Sequence, residues 1–118
     1  PKVRTVHVPS GGSCAKAAQE FLGDEVKVVS AFQNVAATHL DDLDHTIDCD
    51  VLVCGNDPAA REVVVQLAAD AGMKAWHAGV IANSIVAEAM TSTLIFMNNR
   101  YKIGGAGLKI TGTPGSAS

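Results

Sequence analysis

Apolar and polar positions follow one another in blocks along the chain, and the blocks predict strands and helices in turn. Val3 to Val8 reads as a strand, with Thr5 and His7 on one face and Arg4, Val6 and Val8 on the other. A half-polar strand belongs at a sheet edge. Pro9-Ser10-Gly11-Gly12 is a turn, and Ser13 is placed to cap a helix. On that helix Cys14, Ala17, Ala18, Phe21 and Leu22 form an apolar stripe opposite Lys16, Gln19 and Glu20, and Gly23 ends it. Val26 to Phe32 is apolar nearly throughout, the pattern of a strand covered on both faces.

A short helical turn is expected around Ala36 to Leu43, then an acidic connector and a third strand from Asp50 to Cys54. Asp57-Pro58 marks a helix start, with a capping carboxylate and proline at the first helical position. Along this helix Glu62, Gln66 and Asp70 are expected to face water. Val63, Val64, Leu67, Ala68 and Ala71 are expected to face the sheet, and Gly72 closes the element. Lys74 to Ala78 reads as a fourth strand, and a polar loop leads into a helix from about Ser84 to Asn98. Near its end Leu94-Ile95-Phe96-Met97 is apolar around the whole circumference, which requires cover on every side. A partner surface is therefore expected there, either a second copy or another domain, with a homodimer through this helix favoured. Ala106 to Thr111 is a candidate final strand, and residues 113–118 read as a loose tail.

The alternation predicts one α/β domain over residues 1–112, with a largely parallel sheet and flanking helices. Right-handed crossovers then align the strand-to-helix loops along one sheet edge, where ligands sit. Three polar loops fall at such places: Gln33-Asn34-Val35, Gly55-Asn56-Asp57 and Gly79-Val80-Ile81-Ala82-Asn83. Side-chain amides among small apolar neighbours suit a flat polar ring.

At 118 residues the chain can bury roughly two-thirds of its unfolded surface. A hydrophobic share of 47% with 18% charge excludes a disordered chain. Net charge is −3, and the nine Lys and Arg are scattered, which argues against nucleic acid. The uncharged run Ala89 to Asn99 is too short for a bilayer, and no signal-peptide core opens the chain. A cytoplasmic protein is expected. Cys14, Cys49 and Cys54 lack CxxC pairing and read as buried thiols. A metal site of Cys49 with His39 or His45 has no recognisable ligand spacing.

Each remaining chemical candidate has a plainer counterpart. Ser10-Gly11-Gly12-Ser13 could cradle a phosphate, but it lacks GxGxxG and a Walker lysine, so an ordinary turn and cap is favoured. Asn83-Ser84 could bind an anion or simply cap its helix, with nothing to separate the two. His77 could line a site or be a half-exposed strand-end residue. Asp41, Asp42, Asp44, His45, Asp48 and Asp50 read as a solvated connector, since no calcium-loop spacing fits. Trp76 and Tyr101 read as packing residues. No nucleophilic triad can be assembled. The residues alone describe a ligand-binding α/β domain without a catalytic nucleophile.

Longer motifs add a resemblance. Ser30-Ala31-Phe32-Gln33-Asn34-Val35-Ala36-Ala37, the run from Leu43 through Asp57 and Ala78-Gly79-Val80-Ile81-Ala82-Asn83-Ser84 are similar to the NADPH-dependent reductases of coenzyme F420, a deazaflavin. The closing run Arg100 to Ile103 and Gly107 to Gly112 resembles them too. The similarity extends over residues 1–112 and corresponds to the back half of the family pattern, the end of a Rossmann-like domain plus the small C-terminal domain. Nothing matches the family's N-terminal glycine fingerprint. The resemblance implies hydride transfer between NADPH and deazaflavin, with NADP bound only where the dinucleotide unit is supplied and the chain alone inactive. It assigns the deazaflavin pocket to Gln33, Asn34 and Val35 on one wall and Gly79, Val80, Ile81, Ala82 and Asn83 on the other. The family commonly has histidine where Gln33 stands and proline where Val80 stands. A stand-alone oligomeric module that binds a small ligand without chemistry is the competing expectation.

Overall fold

The computed structural model describes residues 5–35 and 48–115. The expected turn at Ala36–Leu43, most of the acidic run, the start of the first predicted strand and the end of the tail lie outside them. The elements are α1 (Cys14–Leu22), β1 (Val29–Ser30), β2 (Asp50–Gly55), α2 (Pro58–Asp70), β3 (Lys74–His77) and α3 (Ser84–Tyr101), with a 3-10 turn at Ile81–Asn83.

β2 lies between β1 and β3. It pairs parallel with β3, from Asp50 opposite Lys74 to Val53 opposite His77. With β1 the pairing is antiparallel, Val29 opposite Gly55 and Ser30 opposite Cys54. The sheet among the described residues is therefore mixed rather than largely parallel. An apolar run reports that a strand is covered, not which way it points.

The two-residue period of β2 sends alternate side chains to two layers. Val51 and Val53 join Ala68 and Met73 in a buried core closed by Val29, Val64, Val65 and Ala75. On the opposite face Cys54 meets the hydroxyls of Ser30 and Ser84, at the start of α3. Burial pushes the Cys54 thiol up, and those hydroxyls only partly counter it, so the group stays a neutral thiol. Cys49 is also buried, and desolvation followed by the nearby Asp50 and Asp48 charges raises its thiol too. Cys14, expected inside, is exposed.

Helix caps follow the sequence closely. Ser13 accepts from Lys16 N at 3.0 Å, and Asp57 accepts from Ala60 N at 2.8 Å ahead of Pro58. Helix rotation does not. On α2 the inward residues are Val64, Val65 and Ala68, while Val63 and Leu67 are 70% and 58% exposed. Three consecutive valines offer two apolar stripes. Arg61, whose Nη1 donates to Gly55 O at 3.0 Å, selects the stripe on its own side. On α1 the expected apolar stripe faces outward and Phe21 is 89% exposed. Gln19 is buried instead, donating to Gly23 O and Val26 O and accepting from Val28 N. Those bonds tie the helix to the chain leading into β1, so a polar residue fixes the orientation.

Thr5 to Val8 forms no ladder, and Val6 and Val8 are exposed, so the expected first strand is absent among the described residues. Residues 106–111 are irregular rather than a strand, yet they dock on β2: Asp50 N donates to Leu108 O at 2.7 Å, and Ile110 N donates to Asp50 Oδ2 at 2.8 Å. At the end of α3, Leu94 is buried and Ile95 half-buried, while Phe96 and Met97 are exposed. The chain's own core thus covers half of that apolar girdle.

Candidate functional site

After Ser30 the chain turns at Phe32, which has a positive φ of 66°, and runs beside α3. Ser30 Oγ and Ser84 Oγ share a hydrogen bond of 2.6 Å. Asn34 Nδ2 donates to Ala87 O at 2.9 Å and approaches Thr91 Oγ1 at 3.3 Å, while that hydroxyl donates to Gln33 O at 3.0 Å. Asn34 is consequently buried scaffolding rather than a free amide.

Gln33, Asn34 and Val35 line a hollow of about 240 Å³ together with Thr91, Leu94, Ile95, Asn98 and Ala106. Gln33 Oε1 is shielded from solvent with no hydrogen-bond partner among the described residues. A buried carbonyl left unpaired is costly, and a ligand N–H would satisfy it. Asn98 Oδ1 is already engaged by Ala106 N at 2.7 Å.

The second predicted wall stands elsewhere. Gly55 N donates to Gly79 O at 3.0 Å and Ile81 N donates to Asn56 Oδ1 at 3.1 Å, which stitches the loop after β3 to the loop after β2. Asn83 Nδ2 donates to Ala78 O at 2.9 Å. Val80 is exposed at the tip. This loop precedes Ser84, whereas Gln33 lies beside Thr91, a separation of roughly two turns, or about 10 Å, along α3. The Gln33 hollow is not lined by Gly79, Val80, Ile81, Ala82 or Asn83. The loops after β2 and β3 converge as expected. The antiparallel β1 carries its own loop away from them.

The other candidates resolve into structural roles. The α1 N-terminus already holds an anion: Glu88 accepts from Cys14 N at 2.7 Å and Ala15 N at 3.0 Å, where a phosphate would have sat. Asn83 makes no side-chain cap, and Ser84 is fully buried against Ser30. His77 Nε2 pairs with Glu62 Oε2 at 2.7 Å. Trp76 Nε1 donates to Asp50 Oδ2 at 2.9 Å, with Lys74 Nζ 4.4 Å from the ring centre. Among the described residues no cluster of His, Cys, Asp and Glu could hold a metal ion, and no helix is long and apolar enough to cross a membrane.

What sequence reading missed is the stitching function of Asn56 and the inward use of Gln19. Gln19 lies one helical turn before the C-cap glycine Gly23, and Asn56 follows directly on the end of β2, places where backbone groups need side-chain partners.

These features define an α/β scaffold with pre-set loops, a shielded acceptor and, among the described residues, no activated nucleophile. No sequence-family profile matches the chain. A protein of Methanocaldococcus jannaschii named F420-dependent NADP reductase is 48% identical over 104 residues, covering 87% of this chain and 46% of that protein. The protein of the same name from Methanothermobacter thermautotrophicus is 35% identical over 105 residues, covering 87% and 45%. A crystal structure from Arthrobacter sp. FB24, provisionally assigned as an F420-dependent NADP reductase, superposes with a TM-score of 0.76 at 25% identity, covering 88% of this chain and 47% of the other. The chain is homologous to the F420-dependent NADP reductases over 87% of its length, and it spans about half the length of the curated relatives it matches.

Proposed function

We propose that this chain is the C-terminal, deazaflavin-side portion of an oxidoreductase that moves hydride between NADPH and coenzyme F420. The observation that carries the reading is the 48% identity to a reductase of that name over 87% of the chain. The shielded, unpaired Gln33 Oε1 supports it, because a deazaflavin ring presents an N–H that would complete that acceptor. The contacting residues proposed are Gln33, Asn34 and Val35, the last two through backbone and apolar surface, and the loop Gly79, Val80, Ile81, Ala82 and Asn83.

The deazaflavin supplies the two-electron hydride chemistry when bound. The chain's own residues orient and exclude water. Gln33 offers an acceptor that does not titrate, so the protein side of that contact does not change with pH. Ile95 gives apolar surface beside Gln33, Val80 stands at the other end of the proposed site, and Asn56 and Asn83 hold its loop still. NADP belongs to a dinucleotide-binding unit of Rossmann type. A homodimer through the α3 end is proposed on Phe96 and Met97, which face outward.

Mixing the chain with NADPH and oxidised F420, and following the deazaflavin absorbance, is expected to show no turnover. Turnover at the rate of a full reductase would contradict the need for a dinucleotide unit. The second reading, a stand-alone binding module that works as an oligomer, draws on the outward apolar stripes of α1 and α2, Phe21 with Leu22 and Val63 with Leu67.

A further inference from the structure

We infer that Asn56 is a positioning residue: its side-chain carbonyl fixes the turn that presents Val80 to the deazaflavin. The inference rests on the reading of the site proposed above.

The parallel ladder between β2 and β3 continues past the strand ends, with Ala78 N donating to Val53 O at 2.8 Å and Gly55 N to Gly79 O at 3.0 Å. At Gly79 the backbone turns through a φ of 104°, and main-chain pairing stops. The Ile81 N–H then meets Asn56 Oδ1 at 3.1 Å, so a side chain extends the ladder where backbone cannot. On the far side Asn83 N donates to Val80 O at 2.9 Å and Asn83 Nδ2 donates to Ala78 O at 2.9 Å. Val80 is thereby held between anchored neighbours, yet it is 51% exposed.

An exposed apolar tip on a fixed backbone is what contact with a planar ring requires, because the ordering is complete before the ligand arrives. Asn56 acts through Ile81 and does not itself need to touch the ring. The backbone of Val80, with φ −69° and ψ 165°, already has the angles of proline, and no hydrogen bond from its N–H occurs among the described residues. Proline there would stiffen the tip by an independent route.

Three variants of the chain test this: Asn56→Ala, Asn56→Asp, and Asn56→Ala combined with Val80→Pro. Two quantities are read, hydrogen exchange at the Ile81 amide and the Kd for oxidised F420 by fluorescence titration. Asn56→Ala should exchange Ile81 about tenfold faster and bind about tenfold more weakly. Asn56→Asp keeps an acceptor and should stay within about threefold of the unaltered chain, and adding Val80→Pro should recover the affinity to a similar extent. Unchanged exchange in Asn56→Ala overturns the hydrogen-bond claim. Faster exchange with unchanged Kd, or a proline that recovers nothing, overturns the positioning claim. An unaltered chain that binds no F420 at all, with Ile81 exchange still dependent on Asn56, would instead overturn the reading of the site and, with it, the claim on the ligand.

Discussion

Replacing Asp50 by alanine is expected to lower the unfolding free energy by roughly 2–4 kcal/mol, because two N–H donors lose a charged acceptor. The Asp50 carboxylate opens β2 and joins two parts of the chain distant in sequence. Its Oδ2 accepts from Trp76 Nε1 at 2.9 Å and from Ile110 N at 2.8 Å. Asp50 is itself buried, and burial alone would raise its pKa. The hydrogen bonds from Ile110 and Trp76, with the charges of Lys74 and Lys109, outweigh that and hold it below its ordinary value of 3.8. A carboxyl group lowered on folding stabilises the protein above its unfolded pKa. The contribution is lost as pH falls through 3.8 toward the folded value. Denaturant titrations at neutral and acid pH check both parts. The unaltered chain should lose stability steeply below pH 4, and Asp50→Ala should be weaker at pH 7 with a shallower acid limb. Equal stability of the two at pH 7 would contradict the role assigned to this carboxylate.

Gly79→Ala should cost roughly 1–3 kcal/mol and damage the site at the same time. Gly79 has a φ of 104°, and an added Cβ would run into Asn83 Nδ2. Relief requires that amide to leave Ala78 O, which frees the turn behind Val80. Gly104→Ala is the control, since a Cβ there meets nothing within 4 Å and its φ carries no penalty. Calorimetry and F420 titration together should separate the pair: stability and affinity both fall for Gly79→Ala, and neither for Gly104→Ala. A Gly79→Ala chain with full stability would show the turn to be pliable.

Local signals in the sequence were legible, and long-range ones were not. Ser13, Asp57 and Pro58 announce helix starts through chemistry contained in a few residues, and those starts stand in the structure. The rotation of α1 depends on Gln19 finding backbone partners up to nine residues away, which no stripe of apolar residues reveals. The three valines of α2 gave two apolar stripes of similar quality, and the one turned inward is on the side of Arg61, which bonds Gly55 O. Direction was equally invisible for β1, whose apolar run fits either pairing. The loops after β2 and β3 converge because parallel register aligns their ends. The loop after β1 does not, so Gln33 reaches its hollow from the side of α3.

The most direct test of the central claim is an amide chemical-shift titration of the 118-residue chain with oxidised F420 in the absence of NADPH. Saturable shifts at Gln33 to Val35, at Thr91 beside them and at Gly79 to Asn83 are the predicted result: a planar redox ring seated against the α3 flank and reaching the Val80 tip. A spectrum in which those residues stay fixed while F420 is in excess, or in which the shifts gather on the outer face of α2 around Val63 and Leu67, would contradict it.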